Sequence, residues 1–193
     1  MSSDPLLIIY LRRPELGKVK TRLAREIGEE RAKAVYEELL DLSFQVYDRV
    51  PEEKQLHFAE QPGFERMDFS THFQLGKDLG ARMRHSFKSA FEEERSKVVL
   101  VGSDCPDIRL DLIEQAFTAL DEVDLVLGPA EDGGYYLLGM RTLHSALFEG
   151  ITWSSDSVLS ESLIRAQELG LEVKLLETLY DIDTLADLKR FKA

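Results

Sequence analysis

Leu6-Leu7-Ile8-Ile9-Tyr10-Leu11 is an unbroken apolar run with no alternation of apolar and polar residues. A run of this length reads as a strand buried on both faces, the kind found inside a parallel sheet. A basic loop with Pro14 and Gly17 follows from Arg12 to Lys20. Helical spacing then takes over, with Val35, Leu39, Leu42 and Val46 on one stripe widened by Tyr36, Leu40 and Tyr47. Gly28 is expected to divide this region into a short helix and a long one, and Pro51 to end the long one. The same alternation continues outward. Strands are expected at Gln55 to Ala59, Lys97 to Gly102, Asp124 to Leu127, Tyr135 to Met140 and Leu171 to Leu176, with a further one around Thr71 to Leu75. Helices are expected from an Asp78 cap through Met83, Phe87 and Phe91, at Leu110 to Leu120, from Asp156 to Leu169 before Gly170, and from a Thr184 cap to Phe191. Strands alternating with helices imply an α/β sheet covered on both faces. No repeat or linker interrupts it, so residues 1–193 are read as one domain. In such sheets ligands bind at the carboxyl ends of the strands.

The 193 residues contain 44% hydrophobic and 31% charged side chains, a globular composition. Lys plus Arg number 24 against 36 Asp plus Glu, a net charge of -12. That balance argues against a general nucleic-acid partner, which calls for a basic surface. A local basic cluster can still hold a small anion. Cys105 is the single cysteine, so no intrachain disulfide is possible. The amino terminus lacks a basic signal-peptide flank, and no apolar run approaches the ~20 residues of a membrane span. A cytoplasmic location is expected.

Arg12, Arg13, Lys18, Lys20, Arg22 and Arg25 lie within one stretch where Glu15 is the only acid. A polyphosphate needs several positive donors and a backbone that can approach it closely. Lys18, Lys20 and Arg22 supply the charge, Gly17 the approach and Thr21 a hydroxyl at the start of a helix. The competing account is a solvated basic surface. The spacing is neither that of a P-loop nor that of a dinucleotide-binding turn.

The strand from Lys97 empties into Gly102-Ser103-Asp104-Cys105-Pro106. A carboxylate there is placed to hold Mg²⁺, which favours one or two carboxylates together with phosphates and waters. Asp181-Ile182-Asp183-Thr184 offers a second carboxylate ahead of the last helix. Either Asp104 or Asp183 is equally readable as a helix cap. Glu131-Asp132-Gly133-Gly134-Tyr135-Tyr136 joins two carboxylates, two glycines and two rings at one turn. It suits an acceptor site in which Asp132 orients a hydroxyl or acts as a base, or alternatively a tight hairpin turn. Arg82, one turn into the helix after Gly76 and Gly80, is placed to contact a phosphate or a base. Trp153-Ser154-Ser155-Asp156 reads as a packed ring followed by a cap. His57, His72, His85 and His144 show no metal spacing.

Six ordered stretches together resemble one family: Pro14 to Leu23, Asp78 to Met83, Gly102 to Pro106, Gly128 to Gly139, Trp153 to Ser155, and Asp181 to Thr184. The chain resembles the bacterial glycosyltransferase-like proteins of the GT-A (nucleotide-diphospho-sugar transferase) superfamily, some of which are associated with arsenosugar biosynthesis. That family is similar to 2-phospho-lactate guanylyltransferase and, more remotely, to molybdenum-cofactor guanylyltransferase. The resemblance implies a single-domain GT-A fold with a mostly parallel, twisted sheet between helices. It implies that Arg12, Gly17, Lys18, Lys20, Thr21, Arg22 and Arg82 serve the nucleotide, and that Lys20 and Arg22 also serve catalysis. Asp104 and Asp183 would hold Mg²⁺ or Mn²⁺. Glu131, Asp132, Gly133, Gly134 and Tyr135 would meet the sugar or acceptor. The sequence departs from the family pattern at Arg12, where Lys is usual, and at Ser103 and Ser155, where Thr is usual. An arginine binds phosphate as a planar fork rather than a point charge. The implied activity is glycosyl transfer from a nucleotide sugar to a small-molecule acceptor. Nucleotidyl transfer from a nucleoside triphosphate with pyrophosphate release is the alternative, and a non-catalytic nucleotide sensor the third. The absence of an Asp-x-Asp after a mid-chain strand counts against glycosyl transfer.

Overall fold

The structure, a computed structural model, describes residues 4–192. Strand β1 (Leu6–Leu11) is buried at all six positions, and its alternating side chains enter two different cores. Leu7, Ile9 and Leu11 meet Tyr36, Leu40 and Phe44 of helix α2 (Glu29–Tyr47) and Leu112, Ile113 and Phe117 of helix α4 (Leu110–Ala119). Leu6, Ile8 and Tyr10 meet Met83, Phe87 and Ala90 of helix α3 (Leu79–Glu92) and Ala166 of helix α5 (Val158–Glu168). A strand covered on both sides has no solvent face, which is why its sequence is continuously apolar.

The remaining strands are β2 (Glu53–Phe58), β3 (Phe69–Phe73), β4 (Val98–Val101), β5 (Leu125–Pro129), β6 (Tyr135–Met140) and β7 (Val173–Leu175). With β1 they form one sheet in the order β3-β2-β1-β4-β6-β5-β7. β1 is parallel to β2 and β4, with Leu6 opposite Glu53 on one side and Val98 on the other. β6 runs antiparallel to both β4 and β5, and the other pairs are parallel. This single α/β domain with its mixed, mostly parallel sheet has the expected architecture.

Helix α1 (Thr21–Ile27) stops at Gly28, whose φ of +86° suits glycine, and α2 starts one residue later. The long helix ends at Tyr47, earlier than Pro51 alone suggests. Asp48 caps it, and the backbone N–H of Val50 returns to the Tyr47 carbonyl. α3 is capped by Asp78, which accepts from the Ala81 N–H at 2.8 Å. α5 begins at Val158 rather than Asp156.

A third core fixes the far end of the chain against its beginning. Leu23 of α1 and Ala32, Val35 and Leu39 of α2 pack on Tyr180, Ile182 and Leu188. Helix α6 (Leu185–Phe191) opens with a capping box between Thr184 and Asp187. Its first N–H, from Leu185, reaches Glu26 of α1 at 3.1 Å. Ile182 is fully buried, so this packing brings Asp183 to Lys20 and Arg22.

Candidate functional site

A cleft of about 620 Å³ opens at the carboxyl ends of β1 and β4. Tyr36 of α2 ties these two ends together. Its hydroxyl accepts from the Arg12 N–H at 2.9 Å and lies 3.2 Å from the Ser103 hydroxyl. Tyr47 donates to the Gly102 carbonyl from the same helix. Arg12, Lys18, Lys20, Thr21, Arg22, Arg82, Asp104, Tyr135 and Asp183 all line the cleft.

Lys20 is central to its charge arrangement. It takes the left-handed conformation at φ +45°, uncommon for a residue with a side chain, at the start of α1. Its side chain is 3% exposed, and its ammonium lies 2.9 Å from Asp104 and 3.3 Å from Asp183. Arg22 reaches Asp183 at 3.4 Å from an exposed position. Burial disfavours the Lys20 charge, but the carboxylates of Asp104 and Asp183 outweigh it and hold the ammonium above the ordinary lysine pKa. Burial pushes Asp104 the opposite way, and Lys20 prevails there too, keeping that carboxyl below its usual range.

Asp181 is the carboxylate that sequence reasoning left without a role. Burial first, then repulsion from Asp104, raises its pKa to about 8, with Asp132 and Asp183 adding to the effect and Lys20 opposing it. Unfolded aspartate ionises near pH ~4. Between that pH and about 8 the folded chain holds the extra proton, so this group lowers stability as pH rises. In metal-free thermal melts, Asp181→Asn is therefore expected to gain on the native chain as pH goes from about 5 to about 8. A difference that does not change with pH would contradict the assignment. The signal was present in the sequence as Asp181-Ile182-Asp183, two carboxylates flanking one buried anchor.

The structure separates other expected residues from the cleft. Glu131 pairs with Arg190 at 2.8 Å, and Asp132 accepts from the Gly134 N–H at 2.9 Å within its own turn. Neither lines the cleft, and neither do Gly17, Gly133 and Gly134. Gly133, at φ +88°, lies against the backbone of Asp156, where an added Cβ would stand 2.0 Å from the carbonyl oxygen. Its own carbonyl accepts from the Leu159 N–H at 2.8 Å. This glycine thus joins the β5–β6 turn to the start of α5. Of the six-residue acceptor stretch, Tyr135 and Tyr136 reach the cleft. Gln74 lines it without a role foreseen for it, and Ser154, at φ +65°, lines it too, from the stretch read chiefly as a packed ring and a cap with its hydroxyls as a lesser site candidate. Gln74 donates to the carbonyls of His57 at 2.8 Å and Leu11 at 3.4 Å, which fixes its amide at the ends of β1 and β2.

Cys105 is buried, and burial pushes its thiol up to about 12, which leaves it unreactive. His57 is held neutral, with burial lowering its pKa to about 3. Among the described residues no group of three or more His, Cys, Asp or Glu side chains is arranged to hold a metal ion. Among them, too, no helix is long and apolar enough to cross a membrane.

The fold has counterparts among solved structures. A protein from Desulfovibrio desulfuricans G20, described as a candidate nucleotide-diphospho-sugar transferase, superposes with a TM-score of 0.92 at 31% identity over 98% of this chain and 86% of its own. CMP:2-keto-3-deoxy-manno-octonic acid synthetase, in complex with CTP, gives a TM-score of 0.61 at 11% identity over 98% of this chain and 97% of its own. Rv0371c from Mycobacterium tuberculosis H37Rv, in complex with manganese, gives 0.52 at 12% identity over 97% of each chain. These two share the fold alone with this protein. No curated protein matches the chain at a significant level. One family model matches residues 44–155, and the chain belongs to that family, DUF2064, described as an uncharacterized protein conserved in bacteria.

Proposed function

We propose that this protein is a transferase that binds a nucleotide sugar with a divalent cation and passes the glycosyl group to a small-molecule acceptor. One observation carries the proposal: Lys20 and Arg22 converge on Asp104 and Asp183 in a single cleft at the carboxyl ends of β1 and β4. The 31% identical relative, described as a candidate nucleotide-diphospho-sugar transferase, supports it. Asp104 and Asp183 fit Mg²⁺ or Mn²⁺ as a donor pair. Their side chains are 42% and 38% exposed, and both lie within reach of one ammonium, so a phosphate and waters can complete the shell. The manganese complex of the distant structural neighbour is consistent with that choice.

A divalent ion held there would supply Lewis-acid stabilisation of the phosphate oxygens. Lys18, Lys20 and Arg22 would set positive charge against the departing nucleoside diphosphate. Arg12 and Arg82 flank the same space from the end of β1 and the first turn of α3. Thr21 adds a hydroxyl. Tyr135 lines the end proposed for the acceptor, with Asp132, Glu131, Gly133 and Gly134 in the turn behind it.

Nucleotidyl transfer is the second reading, and one observation favours it. Asp132, the base candidate, lies outside the cleft lining, and the Asp78 carboxylate caps α3. A phosphorylated substrate attacking an α-phosphorus is already ionised and needs no protein base. Product analysis separates the two reactions. The chain is incubated with Mg²⁺ and each nucleotide sugar or nucleoside triphosphate, with acceptors supplied. Release of a nucleoside diphosphate supports glycosyl transfer, and release of pyrophosphate supports nucleotidyl transfer. A ligand at 100 times its dissociation constant should add ~2.7 kcal/mol of stability. Stabilisation without turnover would indicate a sensor, and no stabilisation by any nucleotide would contradict all three.

A further inference from the structure

Asp104 and Asp183 come from opposite ends of the chain and meet at the Lys20 ammonium. Two carboxylates aimed at one point repel each other unless a cation stands between them. That point therefore calls for positive charge whether or not a ligand is bound. The same two carboxylates are the pair that fits a divalent ion, and Lys20 already stands between them. A phosphate-binding lysine would be expected to present its charge to the cleft, whereas this side chain is 3% exposed.

We propose that Lys20 is an exchangeable internal cation: it holds Asp104 and Asp183 together until a divalent ion arrives with a polyphosphate, and then passes from the carboxylates to the phosphates. The proposal rests on the function proposed above, in which ion and polyphosphate share this cleft. A divalent ion alone must displace a paired ammonium that has no other anion to receive it, so it binds weakly. With a polyphosphate present the displaced ammonium gains new partners, and ion and nucleotide bind cooperatively. The four-carbon stem of a lysine can make the move, and Lys20 heads α1 rather than lying inside it. The neighbouring Lys18 and Arg22 side chains are 54% and 67% exposed, so the phosphates would meet them before Lys20 arrives. Lys20 is thus a positioning residue for the metal ligands as well as a phosphate ligand.

The test is direct titration of the full chain with Mn²⁺ alone, following free Mn²⁺ by its paramagnetic resonance signal. Lys20→Met keeps the apolar stem and removes the charge. It is expected to bind Mn²⁺ about tenfold more tightly than the native chain, because the carboxylates lose their competitor. Lys20→Gln serves in its place if circular dichroism shows that the methionine variant is unfolded. Equal or weaker Mn²⁺ binding by the neutral variant overturns the exchange, since a lysine that served only phosphate would leave metal affinity unchanged. On the native chain, the Lys20 ammonium resonance, assigned by its loss in Lys20→Arg, is expected to stay in place at an Mg²⁺ concentration below the dissociation constant for the ion alone. It should move at that same concentration when ADP, GDP, CDP or UDP is added. Movement at that concentration without nucleotide also overturns the proposal. If none of these nucleotides stabilises the chain, the proposed transferase function fails instead, and the Mn²⁺ comparison still decides the exchange.

Discussion

Replacing Asp104 by Asn is expected to abolish metal-dependent nucleotide binding while leaving the fold intact. The change conserves shape and removes one negative charge. The amide cannot neutralise a divalent ion, so the loss in affinity with Mg²⁺ should reach about 100-fold, on the order of 2.7 kcal/mol. Lys20 keeps Asp183 as a partner at 3.3 Å, and the Asp104 side chain is 42% exposed, so no buried charge is left wholly unpaired. Calorimetric titration with a nucleoside diphosphate, with and without Mg²⁺, measures the effect. A variant that binds with native affinity in Mg²⁺ would remove Asp104 from the site.

Gly133→Ala is expected to be the most damaging small substitution in the turn between β5 and β6. Its φ of +88° is strained for any side chain, and the added Cβ would stand 2.0 Å from a backbone oxygen and 2.6 Å from the adjoining carbon of Asp156. Backbone cannot swing aside as a side-chain tip can. The turn must move off the start of α5, which breaks the bond from the Leu159 N–H to the Gly133 carbonyl. The combined cost should be about 3 kcal/mol or more. For a chain of this size that lowers the melting temperature by about 10 °C. Gly170→Ala is the control. Gly170 also has a positive φ, at +67°, but nothing lies within 4 Å of its added Cβ. It should cost only the left-handed penalty of about 1–2 kcal/mol. If the two variants melt together, the contact with Asp156 does not hold the turn.

The contrast between these residues shows what could be read in the sequence. The apolar runs at Leu6–Leu11 and Val98–Val101 were legible as strands because burial on both faces leaves no polar position, and each opened onto a loop whose charge pointed to the cleft. Lys20, Arg22, Asp104 and Asp183 were legible as candidates, since phosphate and metal demand such types at strand ends, and the structure brings them to one place. The cause of their convergence was not legible. The packing of Tyr180, Ile182 and Leu188 on α1 and α2 spans most of the chain, and no local pattern records it. The turn at Glu131 to Gly134 was ambiguous for a related reason. Two glycines signal close approach, and sequence does not say whether the approaching group is a ligand or the backbone of Asp156. Likewise, Lys20 reads as a free charge until the structure shows it held between two carboxylates.

A nucleotide is expected to lay its phosphates where the amino-terminal cations meet Asp104 and Asp183. A crystal structure of the chain with Mg²⁺ and the nucleotide that stabilises it most tests this directly. Phosphate oxygens should lie within hydrogen-bond reach of Arg22 and Lys20, with a metal ion bound to Asp104. A nucleotide bound elsewhere, or one lying in this cleft with its phosphates directed away from Lys20 and Arg22, would contradict it.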